Sequence, residues 1–554
     1  MCGICGFTGY LPDEKNVLER MKASIQHRGP DSEGSYQDKG ISMGFRRLSL
    51  VDLQHGNQPM RSEKTGLVLT FNGEIYNHQE LRQILREKGY HFTSESDTEV
   101  ILHGYEEWGT DLLPKLRGMF AFVIWDKEKQ LLFGARDPFG IKPLYYTVQK
   151  NQLIYGSEIK AILQHPYVTK QVNPEALENY LTFQYSVLPE TFFRGIYKLP
   201  PAHFFCFQNG ILQCKQYWEP RFEPDNTKTL DQYVAEIEAV MQDSVNVHAQ
   251  ADVEVGAFLS SGVDSSYLAA ISPGNKTFTV GFDYNQYNEI SYAKDLSEEL
   301  HLHNTNQVVT PEDYWDSLPK IQYYMDEPLA DPAAVALYFV SQTASKQVKA
   351  AISGEGADEL FGGYNIYHEP QSLRPLTCLP DSVRETLGNI GRMMPKMKGK
   401  NYLIRGSKEL SQRFIGNAFI FSEEERHRLL KQETVHYPHE QITRPYYRKA
   451  ALLDEITQMQ YLDISLWLVG DILLKADKMS MANSLEVRVP FLDQKVFEVA
   501  RHLPTRFRVT RKQTKYALRL AARKHLPERV AAKRSWDFQY PFEFGCGKTP
   551  TISV

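Results

Sequence analysis

The chain begins Met-Cys-Gly-Ile-Cys-Gly. Loss of Met1 before the small residue Cys2 would leave a terminal cysteine with its own α-amine. With a reference pKa of about 7.7–8.0, that amine can act as base for the neighbouring thiol. Cys2 and Cys5 could instead be half of a zinc site, but no second cysteine pair at metal-ligand spacing follows. Far along the chain, Phe258-Leu259-Ser260-Ser261-Gly262-Val263-Asp264-Ser265-Ser266 follows a strand pattern and opens a helix pattern. Small residues there let backbone N–H groups approach phosphate, and a helix N-terminus favours an anion. The plainer reading is a serine-rich helix cap. No Gly-Lys-Ser/Thr follows, so this is not a Walker A loop. A second glycine-rich loop, Ser353-Gly354-Glu355-Gly356-Ala357-Asp358, carries two acids whose plainer role is to sit at a helix N-terminus.

Two different textures must position these residues. The first 200 or so residues read as short β runs, among them Leu67–Phe71, Met119–Asp126, Leu131–Ala135 and Leu153–Ser157. Helical patterns at Asn16–Ser24 and Asn77–Lys88 interrupt them, which predicts an antiparallel α+β domain. Leu199–Ala202 and Glu219–Thr229 are candidate boundaries, and a helical pattern runs from Leu230 to His248. Strand patterns at Val253–Leu259, Lys276–Phe282, Thr305–Val309 and Lys349–Ser353 then alternate with helices, which predicts a parallel sheet. Ligands of such sheets bind beyond the carboxyl ends of the strands, where both glycine-rich loops fall. After Asp381 the pattern is mostly helical.

Composition narrows the classes. The 554 residues are 42% hydrophobic and 24% charged, a globular balance with length for several domains. A net charge of −5 argues against nucleic-acid binding. No run reaches the about 18 apolar residues of a membrane-spanning helix, and no signal-peptide core follows Met1. Six cysteines are too few for a disulfide scaffold, so a reducing cytoplasm is the expected location.

Met-Cys-Gly-Ile joins five further segments in order: Arg28-Gly29-Pro30-Asp31, Arg46-Arg47-Leu48-Ser49-Leu50-Val51-Asp52, Asn72-Gly73-Glu74-Ile75-Tyr76-Asn77, Ser96-Asp97-Thr98-Glu99 and Arg136-Asp137-Pro138-Phe139-Gly140. Together they closely resemble the glutaminase domain of class II glutamine amidotransferases, an N-terminal-nucleophile (Ntn) hydrolase-type fold. The resemblance implies that Cys2 attacks the glutamine carboxamide. The Asn72 side chain and the Gly73 N–H would hold the oxyanion. Arg47 and Val51 would bind the α-carboxylate end of glutamine, and Glu74 and Asp97 its ammonium.

The serine-rich loop resembles the pyrophosphate loop of ATP pyrophosphatases, with Ser261 where the usual SGGxDS pattern has its first glycine. The second loop, Asp477-Lys478-Met479-Ser480-Met481 and Glu486-Val487-Arg488-Val489-Pro490-Phe491-Leu492-Asp493 complete a resemblance to glutamine-dependent asparagine synthetases. That family implies an α/β parallel-sheet synthetase domain with a helical C-terminal part. Its substrates are L-glutamine, L-aspartate and ATP, with Mg²⁺. Asp264 and Asp358 would hold Mg²⁺ and pyrophosphate, and Lys478 would stabilise phosphate and acyl-adenylate charge. Glu355 would support adenylation or accept a proton from ammonia. Phe258, Ser260, Ser261, Gly262, Val263, Ser265, Val280, Ser353 and Gly354 would line ATP. A homodimer is among the assemblies open to such a chain. A relative that amidates diaminopimelate in cell-wall precursors keeps both half-reactions and is the alternative. A non-enzyme role is poorly supported while Cys2, Asn72, Asp264, Glu355, Asp358 and Lys478 are all present.

These readings divide the chain into a glutaminase domain at 1–210, a synthetase domain at 211–534 and an atypical tail at 535–554. Gly545-Cys546-Gly547-Lys548-Thr549 imitates a P-loop, but Phe542 stands where its first glycine belongs. The tail is expected to be frame-shifted. Read one base out of register from Ser535, it is compatible with the Gly-Phe-Pro-Val-Pro pattern that relatives carry there.

Overall fold

A computed structural model describes residues 2–62, 64–282, 289–395, 397–430 and 438–533. The expected tail at 535–554 lies outside the described residues. The first part of the chain contributes β1 Cys2–Thr8, β2 Ser32–Asp38, β3 Ile41–Arg47, β4 Met60–Arg61, β5 Leu67–Ile75, β6 Gly118–Asp126, β7 Leu131–Arg136, β8 Tyr145–Gln149, β9 Gln152–Gly156, β10 Tyr197–Lys198, β11 His203–Gln208 and β12 Ile211–Gln216. They form two six-stranded antiparallel sheets, ordered β10-β8-β9-β1-β3-β2 and β12-β11-β7-β6-β5-β4.

Strand periodicity explains the layering. On β6, Phe120, Phe122 and Ile124 pack with Leu81, Leu85, Val100 and Ile101 from the helices His78–Glu87 and Asp97–Trp108. The alternate residues Ala121, Val123 and Trp125 face the other sheet and meet Ile4, Met43 and Phe45. The outer face of that sheet, Cys5 and Phe7, is covered by Val17, Leu18 and Met21 of the helix Glu14–Ser24. Helix, sheet, sheet and helix therefore stack in four layers. A central strand such as β6, buried on both faces, reads as a continuous apolar run rather than an alternating one.

The helix Leu230–His248 opens the second part, with a reciprocal capping box between Thr229 and Gln232. Five parallel strands follow: β13 Val255–Phe258, β14 Lys276–Phe282, β15 His303–Val309, β16 Ala350–Ile352 and β17 Glu486–Arg488. Their order is β15-β14-β13-β16-β17. The chain leaves β13 toward β14 on one side and returns at β16 on the other, so the sheet's switch point lies between β13 and β16. β17 is only three residues long, too short for a strand pattern, and the sequence reading assigned it none. Helices dominate after Asp381, as expected.

The two parts share one core. Leu50, Met119, Phe139 and Ile141 belong to the same apolar cluster as Tyr233, Phe258, Leu468 and Phe497. The Phe139 and Phe497 rings meet edge-on at 5.7 Å.

Candidate active sites

Register places the first constellation. In the β1–β3 pair Cys2 lies opposite Arg47, and β5 runs past them with Asn72. The backbone N–H of Cys2 donates to Asn72 Oδ1 at 3.0 Å. Asn72 is fully buried, and its Nδ2 has no acceptor among the described residues. A buried donor without a partner costs free energy unless something supplies the acceptor. Gly73 takes φ +154°, and a Cβ there would lie 2.0 Å from the Met119 carbonyl oxygen, so only glycine fits.

Arg47 organises the wall beside Cys2. Its Nη2 donates to the Val51 and Asp52 carbonyls at 3.3 and 2.7 Å, and its Nη1 to Leu53 O and Asn57 Oδ1 at 3.3 and 3.1 Å. Asp97 begins the helix capped by Ser96 and accepts the Ile75 N–H at 2.9 Å, which ties that helix to β5. Cys2, Arg47, Val51, Gly73, Glu74 and Asp97 all line one cleft.

Burial pushes the carboxyl of Glu74 well up, and the charge of Glu486 adds to the effect while Arg488 opposes it. Burial also raises the Asp97 carboxyl. Such a pair calls for a cation. Burial raises the Cys2 thiol too, opposed by the Leu48 N–H and Arg47.

The second constellation sits at the sheet's switch point. The loop after β13 opens the helix Val263–Ile271 at Gly262. Ser260 Oγ bonds Ser265 Oγ at 2.8 Å and accepts the Gly262 N–H at 3.1 Å. Ser261 turns its hydroxyl to Glu289 Oε1 at 2.7 Å. The loop after β16 lies against it: a Cβ on Gly354 would be 3.3 Å from Asp264 Cβ. Phe258 ends β13, Val280 lies on β14 and Ser353 follows β16, so all three occupy the same edge of the sheet.

Asp264 and Asp358 converge on one ammonium group. Lys515 Nζ lies 2.5 Å from Asp264 Oδ2 and 2.7 Å from Asp358 Oδ1. Asp264 Oδ1 is buried without a partner among the described residues. Gly363 makes the approach possible, since a Cβ there would lie 1.9 Å from Asp358 Oδ1. Two converging carboxylates with a free buried oxygen suit a divalent cation with oxygen ligands. Burial raises the Glu355 carboxyl, with the charge of Lys475 opposing it, and Ser353 Oγ donates to Glu355 Oε1 at 3.4 Å.

Lys478 does not join this group. It is 1% exposed, and its Nζ bonds Asp326 Oδ2 at 2.6 Å, with Glu158 at 3.9 Å. Residues the sequence reading gave no role therefore matter. Lys515 lies in a basic stretch with no motif of its own, and no sequence signal marks it. Arg28 belongs to a motif segment, yet nothing in the segment says that it donates to the Cys2 carbonyl at 3.2 Å and to Asp477. Arg488, 3.4 Å from Glu74, reaches the first cleft from β17 of the parallel sheet.

Comparison with known proteins agrees with both halves. Residues 1–218 match the glutamine amidotransferase domain family and residues 236–545 the asparagine synthase family. Asparagine synthetase [glutamine-hydrolyzing] 1 of Bacillus subtilis is 44% identical over 552 residues, covering 98% of this chain and 87% of that protein. A putative asparagine synthetase [glutamine-hydrolyzing] of Mycobacterium bovis is 41% identical over 571 residues, covering 98% and 88%. Asparagine synthetase [glutamine-hydrolyzing] 3 of B. subtilis is 31% identical over 567 residues, covering 96% and 86%. With one cleft built around Cys2, another at the switch point of a parallel sheet, and similarity along nearly its whole length, this chain belongs to the glutamine-hydrolysing asparagine synthetase family.

Proposed function

We propose that the protein makes L-asparagine from L-aspartate, L-glutamine and ATP, releasing L-glutamate, AMP and pyrophosphate. The observation that carries the glutaminase half is the buried, unpartnered Asn72 Nδ2 beside Cys2. With Met1 removed, the Cys2 amine takes the thiol proton, and the sulfur attacks the glutamine carboxamide. Asn72 Nδ2 and the Gly73 N–H receive the oxyanion. Glu74 and Asp97 take the substrate ammonium, and Arg47 faces the α-carboxylate. Ammonia leaves, and water hydrolyses the thioester.

In the second site the loops after β13 and β16 cradle ATP, with Phe258 and Val280 toward the adenosine. Asp264 and Asp358 would hold Mg²⁺, which when bound supplies positive charge to the phosphates. Lys515 is placed to transfer its ammonium from these acids to pyrophosphate. Attack of the aspartate side-chain carboxylate on the α-phosphorus gives the acyl adenylate and pyrophosphate. Ammonia then displaces AMP, and Glu355, whose carboxyl burial raises above its ordinary value, accepts the proton released. Among the described residues no helix is long and apolar enough to cross a membrane. The five cysteines among those residues are free thiols, which supports a reducing, cytoplasmic setting.

The test is product analysis with Cys2→Ala beside the parent chain. Asparagine should form from glutamine only in the parent, and from ammonia in both. Amidation of a diaminopimelate-containing peptide in place of aspartate would reassign the acceptor, and glutaminase activity in Cys2→Ala would refute the nucleophile.

A further inference from the structure

One buried charged cluster beside Glu355 has no task in this mechanism. Lys475, on the helix Leu473–Met481, is 3% exposed and forms ion pairs with Asp331 and, at 2.7 Å, with Asp471. Asp471 stands on a π-helical turn, Leu468–Ile472, an irregularity that recurs at functional sites. Gln184, in the left-handed conformation that ends the helix Pro174–Phe183, donates from Nε2 to Asp471 Oδ2 at 2.9 Å. The cluster is sealed at Asp471, which has no exposed surface, and opens at Asp331, whose side chain is 14% exposed. The helix of Lys475 leads into β17, which pairs with β16, and the loop after β16 carries Glu355; the charges of Lys475 and Asp331 both act on that carboxyl.

Fold stability is a poor reason for this arrangement. Buried ion pairs roughly break even against well-packed apolar residues, and here two acids compete for one lysine. A ligand gives a better account. A zwitterion inserted between Lys475 and Asp331 would offer each of them an opposite charge in place of the partner it separates, so no buried charge is left unpaired.

We infer that Lys475 and Asp331 form the acceptor pocket, Lys475 taking the α-carboxylate and Asp331 the α-ammonium of an amino acid whose side-chain carboxylate is then presented beside Glu355. Asp471, fixed by Gln184, is a positioning residue that orients Lys475. The ligand class is a free amino acid with a short carboxylate side chain. This rests on the ligase reading above.

Calorimetric titration of the full chain with L-aspartate, in the presence of α,β-methylene-ATP and Mg²⁺, tests the pocket. Succinate, which lacks the ammonium, and 3-aminopropanoate, which lacks the α-carboxylate, are measured by displacement of aspartate. Asp331→Asn should weaken aspartate and 3-aminopropanoate by about 30-fold, the size of a lost charge-assisted hydrogen bond, and succinate by less than threefold. Lys475→Met should weaken aspartate and succinate but spare 3-aminopropanoate, and Lys475→Arg should recover most of the loss. Should Lys475→Met fail to fold, Asp331→Asn and Lys475→Arg carry the test. Equal weakening of all three ligands, or no aspartate binding by the parent chain, overturns the inference. The expected binding pattern in a protein that yields no asparagine would leave the pocket standing and sink the proposed reaction.

Discussion

Arg28 donates from Nη1 and Nη2 to the two carboxylate oxygens of Asp477, at 2.8 and 3.1 Å, while its Nε donates to the Cys2 carbonyl at 3.2 Å. One fully buried guanidinium thus joins the strand of Cys2 to the helix that carries Lys475 and Lys478. Glu158 accepts from the same group at 3.0 Å. Removing one partner of a buried ion pair costs about 3–5 kcal/mol, because the other charge stays behind unpaired. Asp477→Ala should therefore lower the urea midpoint of unfolding sharply. Arg28→Lys, a point charge that cannot make the forked contact, should keep ammonia-dependent synthesis better than glutamine-dependent synthesis. Equal losses with the two nitrogen donors would show that the bridge is structural only.

Asn72→Ala should lower kcat for glutamine hydrolysis by about 10²–10³, the usual effect of deleting an oxyanion donor, with a much smaller change in KM. Steady-state glutaminase assays decide it. A change confined to KM would place Asn72 in ground-state binding instead.

Asp264→Asn or Asp358→Asn should abolish ATP–pyrophosphate exchange while glutamine hydrolysis without ATP continues. In either variant the Lys515 ammonium keeps only one carboxylate partner. Added Mg²⁺ should protect the parent chain against thermal unfolding and protect the variants less. Near-normal exchange in both would move the metal elsewhere.

His103, on the helix that begins at Asp97, provides a pH signature. Burial pulls its imidazolium down, but the hydrogen bond to Glu106 at 2.9 Å and the Glu99 carboxylate 3.6 Å away outweigh this and hold it up at about 9. The folded value lies above the unfolded value of about 6.5, so its stabilisation is complete below pH 6.5 and fades as pH rises toward 9. The difference in unfolding midpoint between the parent chain and His103→Gln should shrink over that window. A difference constant from pH 6 to 9.5 would exclude the charged pair.

Much of this architecture could be read in advance. Lys276–Phe282 and Leu230–His248 have the bounds that their apolar patterns predict, because one is a largely buried strand and the other a capped amphipathic helix. The residues of the Cys2 cleft came from the family resemblance of their short segments, not from their spacing, and the fold brings Cys2, Arg47, Val51, Gly73, Glu74 and Asp97 to one cleft. Arg28–Asp477 and Lys515–Asp264 were not readable, since sequence separations of 449 and 251 residues leave no local pattern. β17 escaped for a different reason: a three-residue strand earns its place by pairing with β16, not by propensity.

β17 ends at Arg488, whose guanidinium lies 3.4 Å from Glu74 at the edge of the glutamine cleft, while β16 beside it feeds the loop that carries Glu355. A pair of adjacent strands therefore links the Cys2 cleft to the loop that carries Glu355. Any ligand that shifts β17 as it binds the synthetase loops alters the charge that a glutamine ammonium meets at Glu74. Thermodynamic reciprocity then fixes the converse: glutamine must change the affinity for that ligand by the same factor. Coupling of that kind would match nitrogen release to the presence of an activated acceptor through adjacent strands of one sheet.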